Sequence, residues 1–222
     1  MIYRKDYIPR NTSCNRRPGL AMAATTITIH NTGNESSTAT NERSWLTNLL
    51  NKRQASFHIV VDSKEAVECI PLTESAWHAG DGSGAKSGNR TSISVEICES
   101  GDYAKTLDNA AGLVADMLRE RGWNVDRLRR HFDWSGKICP RLMYDGGKWT
   151  GWTAFKAAVA AKLKEGDEVK KDEIVTVKVN GKKVADGVLD SGITYTPARA
   201  VAEALGASVT YDAATKTVNI TK

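Results

Sequence analysis

The chain has 222 residues, 41% hydrophobic and 26% charged, with a formal net charge of +5. That length makes one large domain or two smaller ones, and the apolar content is too high for a wholly disordered chain. No stretch approaches the roughly 18 consecutive apolar residues of a membrane span, and the 7% aromatic content with no nucleic-acid-binding motif argues against a nucleic-acid partner.

From the N-terminus, residues 1–10 carry Arg4, Lys5, Asp6 and Arg10 and no apolar h-region. The expectation is a chain without a secretory signal, made and folded in the cytoplasm. Residues 25–30 have strand composition, with Ile27 and Ile29 on one face and Thr26, Thr28 and His30 on the other. Residues 41–50 place Trp45, Leu46, Leu49 and Leu50 on one helical stripe. Residues 57–62 and 66–70 flank Ser63–Lys64 and read as a hairpin. Residues 81–89 hold several glycines and read as a loop. Residues 92–98 alternate strictly, with Ile93, Val95 and Ile97 opposite Ser92, Ser94, Glu96 and Cys98. Leu107, Ala111, Val114 and Leu118 predict an amphipathic helix stopped at Gly122. Trp152, Phe155, Val159 and Leu163 predict another over 151–163.

The charged run after that helix is the best boundary, giving domains 1–163 and 174–222 joined by a linker at 164–173. The 25–30 and 92–98 strands share a design. Each has an apolar face for helices to cover and a face of small polar residues bearing one chemical side chain, His30 or Glu96. Alternation alone predicts a solvated face; adjacency of the two strands would make it a site.

All four cysteines and all four histidines lie before residue 140, so thiol or metal chemistry belongs to the N-terminal domain. Four cysteines in a cytoplasmic chain of this length do not form a disulfide framework. In the segment from His131 to Pro140, His131 and Cys139 flank a Ser135-Gly136 turn. Such a pair can fold back onto one metal, zinc suiting imidazole nitrogen plus thiolate sulfur, with His30 as a third ligand. The spacing fits equally a buried Cys beside a surface His.

Five motifs in order make a stronger signal. They are Ile29-His30-Asn31-Thr32, Ser56 to Asp62, Ala76-Trp77-His78-Ala79-Gly80, Ser92 to Ile97, and His131 to Pro140. Together, over roughly residues 20–155, they resemble the zinc-dependent N-acetylmuramoyl-L-alanine amidases of the peptidoglycan-recognition (type 2 amidase) superfamily, and most of all endolysins of phages infecting Gram-positive bacteria. The resemblance implies an α/β fold, a mixed central β-sheet flanked by helices. It implies Zn2+ as cofactor, with His30, His131 and Cys139 as ligands, Glu96 as catalytic general base and acid, and Lys137 near the scissile carbonyl. It implies a peptidoglycan substrate and an enzyme that waits in the host cytoplasm and acts on the wall after release. The alternative is a non-catalytic peptidoglycan-binding protein on the same fold; Cys139 argues against it. One departure is Phe57, where many members carry a tyrosine that can reach the site; Phe57 cannot donate a hydrogen bond.

Trp77, His78 and Asn89 are candidate substrate-binding residues on the loop that would wall the groove, with Arg90 beside them. His58 reads as a hydrogen-bonded sheet histidine, and Cys14, Cys69 and Cys98 as structural thiols. Arg119, Arg121, Arg127, Arg129 and Arg130 read as a solvated surface, or as a face for an anionic wall polymer.

The C-terminal region resembles a different family, the copper-amine-oxidase N-terminal-like stalk module, on Val177 to Lys183, Thr194 to Ala207, Val209 to Asp212 and Lys216 to Ile220. It reads as short strands around one helix, a small α+β domain. Pro197 starts the helix, Ala200, Val201, Ala204 and Leu205 form its stripe, and Gly206 ends it. It contains no His or Cys, so copper chemistry is not expected. A cell-wall polymer is its expected partner.

Overall fold

The computed structural model describes residues 1–167, 174–190 and 193–222. Chain contacts divide it into two units, Met1–Leu163 and Lys164–Lys222. The sequence-predicted linker at 164–173 lies mostly outside the described residues. Its first part is helical, because the last helix of the first unit runs to Asp167.

The first unit is built on six strands: β1 (Ile2–Lys5), β2 (Thr26–Asn31), β3 (Ile59–Val61), β4 (Glu65–Glu68), β5 (Ser92–Ile97) and β6 (Leu128–Arg130). Their order across the sheet is β1-β4-β3-β5-β2-β6. Only β3 and β4 run antiparallel, as the predicted hairpin; the other pairings are parallel. The edge strand β1 was not expected from the sequence. Its residues are mostly exposed, so it lacks the apolar alternation that marks a half-buried strand.

Two layers of apolar side chains cover the sheet. On one face Ile27, Ile29, Ile59, Val61, Ile93, Val95 and Ile97 pack with Ala111, Val114 and Leu118 of α3 (Tyr103–Arg119) and with Trp152, Phe155 and Val159 of α5 (Thr150–Asp167). Asp102 caps α3, its side chain accepting from the Lys105 N–H. Gly122, at φ +62°, turns the chain after it. The opposite face is apolar only at one end, where Val60, Val67, Phe57 and Leu46 meet. Leu46 comes from α1 (Ala39–Thr47), whose N-cap is Thr38.

Helix α1 starts and ends earlier than the expected 41–50, and its stripe is corrected. Leu46 is buried, but Trp45 is 45%, Leu49 73% and Leu50 79% exposed. Asn48 adopts extended backbone and stops the helix, so Leu49 and Leu50 leave the helical face.

Short helices α2 (Gly88–Thr91) and α4 (Phe132–Ser135) complete this unit. None of the described helices is long and apolar enough to cross a membrane. The cysteines are free. Cys69 and Cys98 are buried, but Cys14 is exposed in a turn at φ +58°, which corrects its reading as structural. Four of the five clustered arginines are tied locally: Arg119 to the Lys162 and Leu163 carbonyls, Arg121 to the Met117 carbonyl, Arg129 to the Asp126 carbonyl and Arg130 to Asp133.

The second unit holds β7 (Ile174–Val179), β8 (Lys182–Asp190) and β9 (Ile193–Tyr195) in one antiparallel sheet, α6 (Ala198–Ala204), and a hairpin of β10 (Ser208–Asp212) and β11 (Thr217–Thr221). Asn180 and Gly181, at φ +50° and +80°, make the tight β7–β8 turn. Pro197 and Gly206 bound α6 as expected. Its buried residue is Ala202, whereas Leu205 is 52% exposed, so the stripe is centred one step away from the expected one.

Candidate metal centre and active-site groove

Parallel pairing of β2 and β5 sets the site. The register places Thr28 beside Ser94 and His30 beside Glu96, so the two marked side chains sit together on one sheet face. The face is not solvated. Thr28, Ser92 and Ser94 are fully buried and His30 is 2% exposed. The Thr28 and Ser92 hydroxyls are 2.6 Å apart and Trp134 Nε1 donates to Thr28 Oγ1 at 2.9 Å, while the Ser94 hydroxyl has no partner among the described residues.

On the other side of β2, the parallel strand β6 ends at Arg130, and His131 follows directly. Three carboxyl ends therefore converge, the usual place for ligands in parallel sheets. Helix α4 then turns at Gly136, φ +75°, and the Phe132 N–H donates to the Cys139 carbonyl at 3.2 Å. This fold-back brings Cys139 beside His131. Gly80 is required where the wall loop crosses: its φ is +72°, and a Cβ there would lie 3.3 Å from Ser135 Oγ and 3.4 Å from His131 Nε2. Gly88 is required too, since its Cβ would meet the Trp134 ring at 2.6 Å.

His30, His131 and Cys139 offer ligand atoms all within 4.8 Å of one another. His30 Nδ1 lies 3.1 Å from His131 Nδ1 and 3.7 Å from Cys139 Sγ. Tetrahedral zinc, with Zn–N near 2.0–2.1 Å and Zn–S near 2.3 Å, separates its ligand atoms by about 3.3 Å (N to N) and about 3.6 Å (N to S). The donor set and the two distances from His30 fit zinc. Burial holds His30 well below the ordinary imidazole range and His131 at about 4. Burial also pushes the Cys139 thiol up to about 12. The imidazoles thus keep their lone pairs, and loading a metal would expel the thiol proton.

Glu96 Oε1 is 3.9 Å from His30 Nδ1, and Oε2 is buried without a hydrogen-bond partner. Burial, then the charge of Glu42, lifts its carboxyl to about 8. The groove over these residues, about 200 Å³, is also lined by Lys137, Phe57, Trp77, Trp45, Glu42, Asn51 and Arg53. Lys137 is exposed on its rim. Phe57 is 8% exposed and brings a ring where a phenol hydroxyl would offer a donor.

The sequence did not point to the wall made by Glu42, Trp45, Asn51 and Arg53. Its signal was the pair Asn48 and Asn51, which end the helix and free the chain to line the groove. Arg16, fully buried, holds this wall by donating to the Leu46, Asn51 and Arg53 carbonyls.

The candidate substrate-binding residues separate. Trp77 lines the groove, its indole N–H donating to the Asn15 carbonyl at 2.8 Å. His78 is 7% and Asn89 3% exposed, and both turn inward. His78 Nδ1 meets His30 Nε2 at 3.1 Å, and its Nε2 meets the Ser92 carbonyl at 3.1 Å. Asn89 Oδ1 accepts from the His78 and Ala79 N–H groups at 2.6 and 2.8 Å, and its Nδ2 donates to the Gly82 carbonyl. Their polar groups are hydrogen-bonded inside the protein, and His78 also lines the groove. The neighbouring Arg90 reaches the Ala21 carbonyl at 3.4 Å. His58 has the expected sheet role: Nε2 donates to the Glu74 carbonyl at 2.8 Å and Nδ1 accepts from the Ser94 N–H at 2.9 Å.

Residues 20–142 match the family described as N-acetylmuramoyl-L-alanine amidase, and the chain belongs to that family. Residues 178–222 match the family described as copper amine oxidase N-terminal domain. The amidase XlyB of Bacillus subtilis is 44% identical over 155 residues, 68% of this chain and 47% of the relative. The amidase CwlA of the same organism is 45% identical over 148 residues, 65% of this chain and 52% of the relative. The chain therefore spans about half the length of these relatives. Among solved structures, the catalytic domain of XlyA superposes with a TM-score of 0.64 at 39% identity, over 72% of this chain and 99% of that domain.

Proposed function

We propose that this chain is an endolysin-type enzyme that hydrolyses the amide between the lactyl group of N-acetylmuramic acid and the L-alanine of the peptidoglycan stem peptide. The observation that carries the reading is the convergence of His30, His131 and Cys139 with Glu96, whose Oε2 has no hydrogen-bond partner, at three parallel strand ends. The similarity to XlyB, CwlA and the XlyA catalytic domain supports the choice of bond.

His30, His131 and Cys139 would hold a zinc ion, which when bound supplies a Lewis acid and acidifies water toward neutral pH. Glu96 is placed to accept a proton from the attacking water and return it to the leaving alanine nitrogen as the C–N bond breaks. That transfer leaves a carboxylate on the lactyl group and a free amine on alanine. Lys137, on the groove rim, would stabilise negative charge on the scissile oxygen, a contribution of about 3 kcal/mol in comparable sites. Phe57 leaves these tasks to Glu96 and Lys137. The complete ligand set favours catalysis over binding alone.

Mass spectrometry of digested walls tests the proposal. New N-terminal alanine without new reducing ends is the expected product; wall binding with no new amine would leave the non-catalytic reading.

The second unit would hold the enzyme to a cell-wall polymer. A fragment ending at residue 167 keeps every ligand, Glu96 and the α5 stripe. It is expected to fold, retain zinc and cleave soluble muropeptide at near the full-length rate. On intact walls it should be slower, because two weak contacts to one polymer raise the effective concentration. Sedimentation of each half with purified walls checks this. Equal binding by the fragment and the full chain would make the second unit an appendage with another role.

A further inference from the structure

The wall loop reaches under both histidine ligands, and its inward residues form a chain of hydrogen bonds whose direction can be worked out. The Ser92 carbonyl can only accept, so His78 Nε2 carries the proton of that 3.1 Å contact. A neutral His78 then has a lone pair on Nδ1. His30 Nε2, 3.1 Å away, must donate to it, which leaves the lone pair of His30 on Nδ1, facing His131 Nδ1 and Cys139 Sγ. The next residue serves the other histidine. The Ala79 carbonyl accepts a hydrogen bond from His131, and a Cβ on Gly80 would sit 3.4 Å from His131 Nε2. The 79–80 backbone is therefore on the Nε2 side of that ring, and Nδ1 of His131 is turned toward His30 Nδ1, 3.1 Å away. Asn89 fixes the backbone that does this, its one oxygen accepting from the N–H groups of both His78 and Ala79.

We propose that His78, clamped by Asn89, is a positioning residue for the metal centre: with the Ala79 carbonyl it sets the tautomer and aim of both histidine ligands, so that two Nδ1 lone pairs point at one place. This rests on the reading of His30, His131 and Cys139 as metal ligands. An outer partner of this kind fixes ring orientation and raises ligand basicity, and its loss typically costs about 10- to 100-fold in metal affinity. A phenylalanine at position 78 fills the space but offers His30 no acceptor. A glutamine offers an oxygen toward His30 and an N–H toward Ser92.

Zinc affinity of the full-length protein, measured by chelator competition, tests the proposal. His78→Phe should weaken zinc binding about 10- to 100-fold, His78→Gln should recover most of it, and Asn89→Ala should weaken it in the same direction. The KM of zinc-saturated His78→Gln for soluble muropeptide should match wild type. Wild-type zinc affinity in His78→Phe, or a raised KM with unchanged zinc affinity, would overturn the proposal in favour of a substrate contact. Stoichiometric failure of the wild-type protein to bind zinc would instead overturn the metal site itself. If His78→Phe does not fold, nitrogen-15 NMR of the metal-free wild-type imidazoles decides: the proposal requires the His30 proton on Nε2, and a proton on Nδ1 overturns it.

Discussion

Cys139→Ala and His131→Ala are expected to lose zinc and amidase activity together while keeping their fold. Each removes one of the three proposed ligands, whose atoms lie within 4.8 Å of one another. Two ligands hold Zn2+ poorly, so the loss should exceed the roughly 10- to 100-fold that outer-shell changes cost. His131 leaves its Ala79 contact, and Cys139 is a small side chain beside the His30 ring. Metal analysis after dialysis, with circular dichroism alongside, checks both variants. One zinc per chain in either would remove that residue from the ligand set.

Much of the sheet was legible because β2 and β5 alternate without a break. Parity put His30 and Glu96 opposite the isoleucines and valines that bind α3 and α5, and the structure keeps that division. Parity says nothing about which strands are neighbours. His30 meets Glu96 through parallel pairing between strands far apart in sequence, with α1, the β3–β4 hairpin and the wall loop between them. Motif order supplied what periodicity could not. The same limit hid the burial of the polar face: Thr28 and Ser94 read as solvent-facing until α4 and the wall loop are laid over them.

The errors have a common cause. Leu49 and Leu50 continue the helical spacing of Leu46, yet a helix exists only while its backbone continues, and Asn48 leaves the helical region. Both are then exposed instead of in a core, and Trp45, still in the helix, lines the groove. His78 and Asn89 are expected to meet substrate because polar residues on a glycine-rich loop usually face solvent. Here the loop folds inward, and their partners, His30, Ser92 and the loop backbone, are distant in sequence or are main-chain groups that a side-chain pattern does not show.

Glu96→Gln separates chemistry from structure most sharply. The change keeps volume and removes the proton acceptor. Turnover of soluble muropeptide should fall by about 100- to 10,000-fold, the usual range for a general acid–base group, with zinc content unchanged because Glu96 is not in the ligand set. A second effect runs the other way. In the metal-free protein burial lifts the Glu96 carboxyl from 4.5 to about 8, and Oε2 has no partner there. A carboxyl raised in the folded state favours folding only while protonated. Metal-free stability therefore falls as pH rises from about 4.5, where the unfolded chain begins to release this proton, and levels off above about 8. Glutamine carries no such proton. At pH 7 the metal-free variant should be more stable than wild type by about 1–3 kcal/mol, or about 2–4 °C in Tm per kcal/mol for a chain of this size, and this part of the pH slope should vanish. Calorimetry of the metal-free proteins at pH 5 and pH 8 reads the stability, and single-turnover product formation reads the chemistry. Near wild-type turnover would assign the proton transfer to another group. An unchanged pH slope would mean that Glu96 ionises freely in the folded site.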